Sequence, residues 1–177
     1  QRQMCIRDST ICARGGSKGI PGKNIKPVAD RPLLAYTADV AKNFAHKHNA
    51  DIILSTDSAE IMEVGRECGL PDEYVRPDAL ANDTCGKPDA IRDAMLWAEV
   101  RYGKTYDYVV DLDVTSPIRT LSDVENCVEM MDNAPDALTI FSVNPCARNP
   151  YFNMVQQQPD GYFSVAVSYT HLRAHET

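Results

Sequence analysis

The residues best suited to chemistry fall in one glycine-rich stretch, Ala13-Arg-Gly-Gly-Ser-Lys-Gly-Ile-Pro-Gly-Lys-Asn24. Arg14, Lys18 and Lys23 supply three cations, with Lys26 close behind, and Ser17 adds a hydroxyl donor. Gly15, Gly16, Gly19 and Gly22 let the backbone come close to a bulky anion. Cations together with exposed backbone N–H groups are what a triphosphate requires. The competing reading is a solvated surface loop. Two familiar phosphate loops are excluded. A Walker A loop needs glycine five residues before Gly22, where Ser17 stands, and Ser or Thr after Lys23, where Asn24 stands. Gly15-Gly16-x-x-Gly19 also lacks the spacing of a dinucleotide fingerprint.

A second chemical pair is Asp111-Leu-Asp113, at the end of the apolar run that begins at Tyr106. Carboxylates two apart on a strand share a face, where they could hold a cation or accept from hydroxyls. A solvated strand terminus is the alternative.

The elements that must position these residues alternate between strand and helix. Thr10–Ala13, Asp51–Ser55, Tyr106–Asp113 and Ala137–Val143 read as strands. Leu33 to about Lys47, the stretch after Thr56-Asp57-Ser58 to about Cys68, Pro88 to about Tyr102 and Leu121–Met131 read as helices. Tyr151–Val155 and Tyr162–Val165 flank Pro159-Asp160-Gly161 as a hairpin would. This order predicts an α/β fold, a mostly parallel sheet with helices on both faces. In such sheets ligands gather at the carboxyl ends of the strands, which is where the glycine-rich loop and Asp113 fall.

Composition narrows the class. A net charge of −7 argues against a nucleic-acid partner. No run approaches the length a membrane helix needs, and Gln1–Ser9 has no apolar signal core. A small-molecule protein of the cytoplasm is expected. Cys5, Cys12, Cys68, Cys85, Cys127 and Cys146 form no Cys-x-x-Cys pair, so reduced thiols are expected rather than a zinc site. Trp97 reads as core, and Glu60, Glu63, Glu67 and Asp72 as a solvated acidic face.

The glycine-rich loop closely resembles the N-terminal signature of the acylneuraminate cytidylyltransferases, the enzymes that make CMP-sialic acids. The resemblance continues in order through Arg31-Pro-Leu-Leu-Ala-Tyr-Thr37, Ile53-Leu-Ser-Thr-Asp-Ser-Ala-Glu-Ile61, Arg76-Pro77 with Leu80-Ala-Asn-Asp83, and Thr115-Ser-Pro-Ile-Arg119. It implies a nucleotidyltransferase, Rossmann-like fold and transfer of CMP from CTP to an acidic nine-carbon sugar, with Mg²⁺ and loss of pyrophosphate. It implies that Arg14, Gly15, Gly16, Ser17, Lys18, Lys23, Asn24 and Asp83 hold the nucleotide, with Arg14 and Lys23 neutralising the phosphates during catalysis. Thr115, Ser116 and Arg119 would line the nucleotide or sugar side; Asp113 as a sugar contact, and Asp111 with Asp113 as metal ligands, rest on the residues themselves, since the resemblance places the family's acidic metal ligands in a further segment expected beyond this chain. No general base stands out.

Where the family segment usually has Gln, this chain has Asp113. The Asp-Leu-Asp form, together with Asn149-Pro-Tyr-Phe-Asn-Met-Val155, looks more like the branch acting on legionaminic-type sugars. A 3-deoxy-manno-octulosonate cytidylyltransferase or a non-catalytic nucleotide-binding module are the alternatives. Arg148-Asn149-Pro150 could reach a sugar carboxylate, with a capped loop the competing reading. Residues 1–9 and 167–177 resemble translated sequencing-adapter DNA, so they are expected to be non-native and 10–166 an incomplete cytidylyltransferase domain. Family members commonly form homodimers through an inserted lobe, of which the hairpin near 151–165 would be the start.

Overall fold

Two adjacent residues of one strand decide the architecture. Ile53 and Leu54 are both buried, yet consecutive strand residues point to opposite faces. Ile53 joins Tyr74, Ala94 and Ala98, while Leu54 joins Ile11, Leu34, Phe44, Ile61 and Leu112. A sheet apolar on both faces must be covered on both, and helices cover it.

The computed structural model describes residues 7–16, 19–143 and 155–165. The elements run β1 (Arg7–Cys12), β2 (Pro27–Val28), β3 (Arg31–Pro32), α1 (Leu33–His48), β4 (Asp51–Ser55), α2 (Ala59–Glu67), α3 (Lys87–Tyr102), β5 (Tyr108–Asp111), α4 (Leu121–Asp132), β6 (Val155–Gln157) and β7 (Phe163–Val165). Short 3-10 turns lie at Lys23–Ile25 and Asp78–Leu80. The chain divides into two units, residues 1–137 and 138–177.

In the first unit the sheet is three-stranded and parallel, in the order β4-β1-β5. Thr10 registers with Ile53 on one side and Asp111 on the other. Helices α1, α2 and α4 supply Leu34, Ala38, Ala41, Phe44, Ile61 and Val124 to one face; α3 supplies Ala94 and Ala98 to the other. Full burial of side chains such as Phe44, Leu34 and Leu54 contributes about 1.5–3 kcal/mol each. The approach of α2 is close enough that a Cβ at Gly65 would overlap Leu54 Cδ2. On the opposite face Trp97 packs against Tyr74 and Tyr102, with ring centroids 5.3 and 6.1 Å away. It is core, as expected.

Local chemistry marks the element ends. Ser58 Oγ accepts from the Ile61 amide and starts α2, and Thr120 with Asp123 forms a reciprocal capping box on α4. Asn49 and Gly103 adopt left-handed conformations that end α1 and α3. Between β2 and β3, Ala29 and Asp30 both have positive φ, 46° and 64°, as a type I′ turn demands.

Two segments differ from expectation in extent. Arg7–Ser9, grouped by sequence with the N-terminal tail, form the first half of β1; all three pair with β5, and Asp8 and Ser9 pair with β4 as well. The strand expected over Ala137–Val143 does not form among the described residues. An extended, apolar segment becomes a strand only where a ladder partner takes its N–H and C=O groups, and sequence pattern does not supply the partner. In the second unit β6 and β7 are antiparallel, Val155 opposite Val165 and Gln157 opposite Phe163. Gly161, at φ 86°, makes their turn. Ser17, Lys18, Arg148-Asn149-Pro150 and the expected C-terminal tail lie outside the described residues.

Candidate active site

The carboxyl ends of β1, β4 and β5 open into a polar cavity of about 350 Å³. Cys12, Arg14, Lys23, Asn24, Arg76, Asn82, Asp83, Lys87, Asp113 and Thr115 are among its lining residues. Of the residues expected at the site, the structure brings Arg14, Lys23, Asn24, Asp83, Asp113 and Thr115 to this one cavity, although up to 101 residues separate them (14 to 115).

The glycine-rich loop leaves the tip of β1 and is pinned at both ends. Asn24, 7% exposed, donates from Nδ2 to the Arg14 carbonyl at 3.0 Å. The Gly15 amide donates to Asp57 Oδ1 at 2.9 Å, so that one N–H is committed to the β4–α2 turn. Glycine is required there, because a Cβ would meet the Ser58 Cβ at 2.9 Å. Arg14 reaches across the cavity to Asp83 Oδ1 at 2.8 Å and also donates to the Gly16 carbonyl. Asp83 belongs to a loop braced by Asn82, whose Oδ1 accepts from the Thr84 and Cys85 amides. The Arg14–Asp83 pair is partly exposed, 28% and 47%, and such a pair is worth about 0–1 kcal/mol. A phosphate can therefore compete for Arg14. Lys23 lines the same cavity with no ion pair among the described residues.

Across the cavity, Asp113 organises the Thr115-Ser-Pro loop. Its Oδ1 accepts from the Thr115 amide at 2.8 Å and the Thr115 hydroxyl at 2.7 Å. Its Oδ2 is 3.1 Å from Lys87 Nζ, which lies 2.5 Å from Asp111 Oδ2. Burial pushes Asp113 up, but the Thr115 hydrogen bonds and the Lys87 ammonium prevail and bring it to about 2. It is ionised at neutral pH.

Arg119 and Ser116 are placed differently. Arg119 reaches the Asp113 carbonyl and the Thr37 hydroxyl, the latter at 3.1 Å, and its Nε is buried without a partner. It underpins the loop rather than lining the cavity. Ser116 is exposed, and its amide donates to the Asp113 carbonyl.

Asp111 and Asp113 are the residues present that could hold a divalent cation. Two Oδ2 atoms already converge on one ammonium, so the donor set fits a hard cation completed by water and phosphate. Among the described residues no third His, Cys, Asp or Glu joins them.

Sequence reasoning did not single out Arg76 and Lys87 as site residues. Arg76 is 6% exposed and donates from Nε and Nη2 to Ser55 at 3.0 and 2.8 Å. It lies before Pro77 in a segment the resemblance includes, but nothing in its neighbours shows that it is buried beneath the cavity. Lys87 opens α3 and carries no signal, since lysines at helix ends are ordinarily solvated. Cys12, Cys68, Cys85 and Cys127 form no disulfide, and burial pushes the Cys12 thiol up, keeping it neutral in the cavity wall. No helix of the described residues is long and apolar enough to cross a membrane.

Comparison with known proteins places this geometry. The chain is 39% identical over 150 residues to post-translational flagellin modification protein B of Campylobacter coli. It is 38% identical over 150 residues to the CMP-N,N′-diacetyllegionaminic acid synthase of Campylobacter jejuni. Each alignment covers 84% of this chain and 62% of the relative, so the chain spans about three fifths of their length. Its fold resembles a CMP:2-keto-3-deoxy-manno-octonic acid synthetase complexed with CTP, at TM-score 0.57 and 22% identity over 74% of this chain and 49% of that one. The cytidylyltransferase family model matches residues 10–161, a stretch that includes the glycine-rich loop, most of the parallel sheet and the Thr-Ser-Pro turn, and this chain belongs to the cytidylyltransferase family.

Proposed function

We propose that this chain carries the nucleotide site of an enzyme that transfers CMP from CTP to a nonulosonic acid of the legionaminic or sialic type. The anomeric hydroxyl of the sugar acid attacks the α-phosphorus, the bond to the β-phosphate oxygen breaks, and pyrophosphate leaves. The observation that carries this reading is the cavity at the strand ends, where Arg14, Lys23, Arg76 and Lys87 surround a space of about 350 Å³. The similarity to a legionaminate-activating synthase supports the sugar class.

Each residue has a task the geometry allows. Lys23 and Arg14 would neutralise the phosphates and the departing pyrophosphate, Arg14 leaving Asp83 to do so. Arg76, clamped to Ser55, is a fixed donor suited to the acceptor edge of cytosine, O2 and N3. Thr115, oriented by Asp113, would face the sugar. Asp111 and Asp113 would hold Mg²⁺, which supplies charge neutralisation on the phosphates. Catalysis of this kind rests on in-line positioning and electrostatic stabilisation. The whole enzyme would act in the cytoplasm as a homodimer, with the 155–165 hairpin near the subunit contact.

Thermal stabilisation by nucleotides tests the reading directly. CTP with Mg²⁺ should raise the melting temperature while ATP, GTP and UTP do not, because a ligand that binds only the folded state stabilises it. Lys23→Ala should remove most of the shift and leave the ligand-free melt unchanged. Equal shifts with all four nucleotides, or a purine preference, would overturn it. Pyrophosphate release by the full-length enzyme, with N,N′-diacetyllegionaminic, N-acetylneuraminic or 3-deoxy-manno-octulosonic acid, then names the sugar.

A further inference from the structure

Lys87 is the first residue of α3, and Gly86 before it offers no side-chain cap. A cation at a helix N-terminus faces the positive end of the dipole, so local helix chemistry gives no reason for lysine there. Two carboxylates do. Nζ lies 2.5 Å from Asp111 Oδ2 and 3.1 Å from Asp113 Oδ2. Asp113 Oδ1 is occupied by Thr115, so the oxygen that Asp113 has left to face a metal is one that Lys87 already holds, and Lys87 also holds one of the two oxygens of Asp111. Lys87 also lines the cavity with Arg14, Lys23 and Arg76.

We propose that Lys87 is a resident counter-cation of the Asp111–Asp113 pair, which a divalent metal must displace and which then turns to the nucleotide phosphates. Without nucleotide, a metal entering here breaks both ion pairs and leaves an unpartnered ammonium beside its own charge. With a triphosphate in the cavity, the ammonium gains a new anionic partner as the metal takes the carboxylates. Lysine suits this exchange, being a point charge on a flexible four-carbon stem, whereas arginine's planar fork is tied to its geometry. Metal and nucleotide binding thereby become mutually favourable, and the coupling is reciprocal. Lys87 acts here as a positioning residue. The proposal rests on the nucleotide and metal sites proposed above, and the measurement with Mn²⁺ alone tests the metal half without nucleotide.

The test titrates Mn²⁺ into the 177-residue chain and reads free Mn²⁺ by electron paramagnetic resonance, with and without CTP. Wild type should bind Mn²⁺ weakly alone and at least about tenfold more tightly with CTP, a coupling of ordinary allosteric size. Lys87→Met should bind Mn²⁺ alone about tenfold more tightly than wild type and lose most of the CTP effect. Lys87→Arg, which keeps the charge, should remain weak without CTP. If Lys87→Met melts cooperatively and binds Mn²⁺ no better than wild type, the proposal is wrong. Should that variant not fold, Lys87→Gln takes its place, and wild-type Mn²⁺ affinity unchanged by bound CTP overturns the coupling on its own. If CTP does not bind wild type at all, the nucleotide reading fails, while the Mn²⁺-alone comparison still decides the role of Lys87.

Discussion

The two ends of the central sheet carry carboxylates of opposite character. At the carboxyl end, Asp113 is held down to about 2 by Thr115 and Lys87 against the effect of burial. At the amino end, Asp8 is fully buried in β1, accepts a hydrogen bond from the Thr10 hydroxyl, and has Oδ1 without a partner among the described residues. Burial raises it to about 7, helped by nearby Asp51 and opposed by Thr10 and Lys104. Beside it Ser9 Oγ is also buried and unpartnered. Residue type is the same at both ends; the supply of donors is not. A polar end furnished with partners is a site, and a polar end without them is a weakness in the frame.

The largest effect should come from relieving that weakness. Because the folded value of Asp8, about 7, lies above the ordinary 3.8, its contribution to stability is complete below pH 3.8 and is lost as pH rises through 7. Asp8→Val should therefore stabilise the chain by about 3 kcal/mol at pH 8, with most of the gain gone at pH 4, as urea melts at the two pH values would read. An unchanged or lower stability at pH 8 would break the comparison. Asp113→Ala should have the opposite sign. Its lowered value means that stability is present above pH 3.8 and lost as pH falls through about 2. The side chain is 46% exposed, so solvent screening limits the loss to about 1–2 kcal/mol at pH 7. Smallest of the three, Ser9→Ala removes a buried hydroxyl that satisfies nothing and should add about 1 kcal/mol with no dependence on pH.

The same contrast explains what could be read from sequence. The α/β order was legible because strands and helices have different periods, and Asp51–Ser55 and Leu33–His48 fall within a residue or two of expectation. The site loop was legible because glycines, cations and the Thr115-Ser-Pro turn are rare in that order. Pairings across sequence were not. That Gly15 donates to Asp57, that Arg14 meets Asp83, and that Lys87 bridges Asp111 and Asp113 depend on which strand ends become neighbours. Arg76 falls within a segment that resembles the family, but burial of a guanidinium depends on the tertiary environment. Nor is the extent of β1 legible: Arg-Asp-Ser lacks the apolar pattern of a central strand, yet Arg7–Ser9 pair in the sheet, with Asp8 Oδ1 and Ser9 Oγ buried and without a partner among the described residues.

Strand order has a further consequence, for how the molecule is made. The middle strand of the sheet is the first in the chain, and its two neighbours come at Asp51–Ser55 and Tyr108–Asp111. Arg7 finds Tyr108 only after a loop of about a hundred residues has closed, and long-range parallel pairing is slow for that entropic reason. Of the three strands β1 is synthesised first, yet until β5 arrives one edge of it lacks its partner. The central strand is the first of the three to appear, and it gains its second neighbour only when the last arrives.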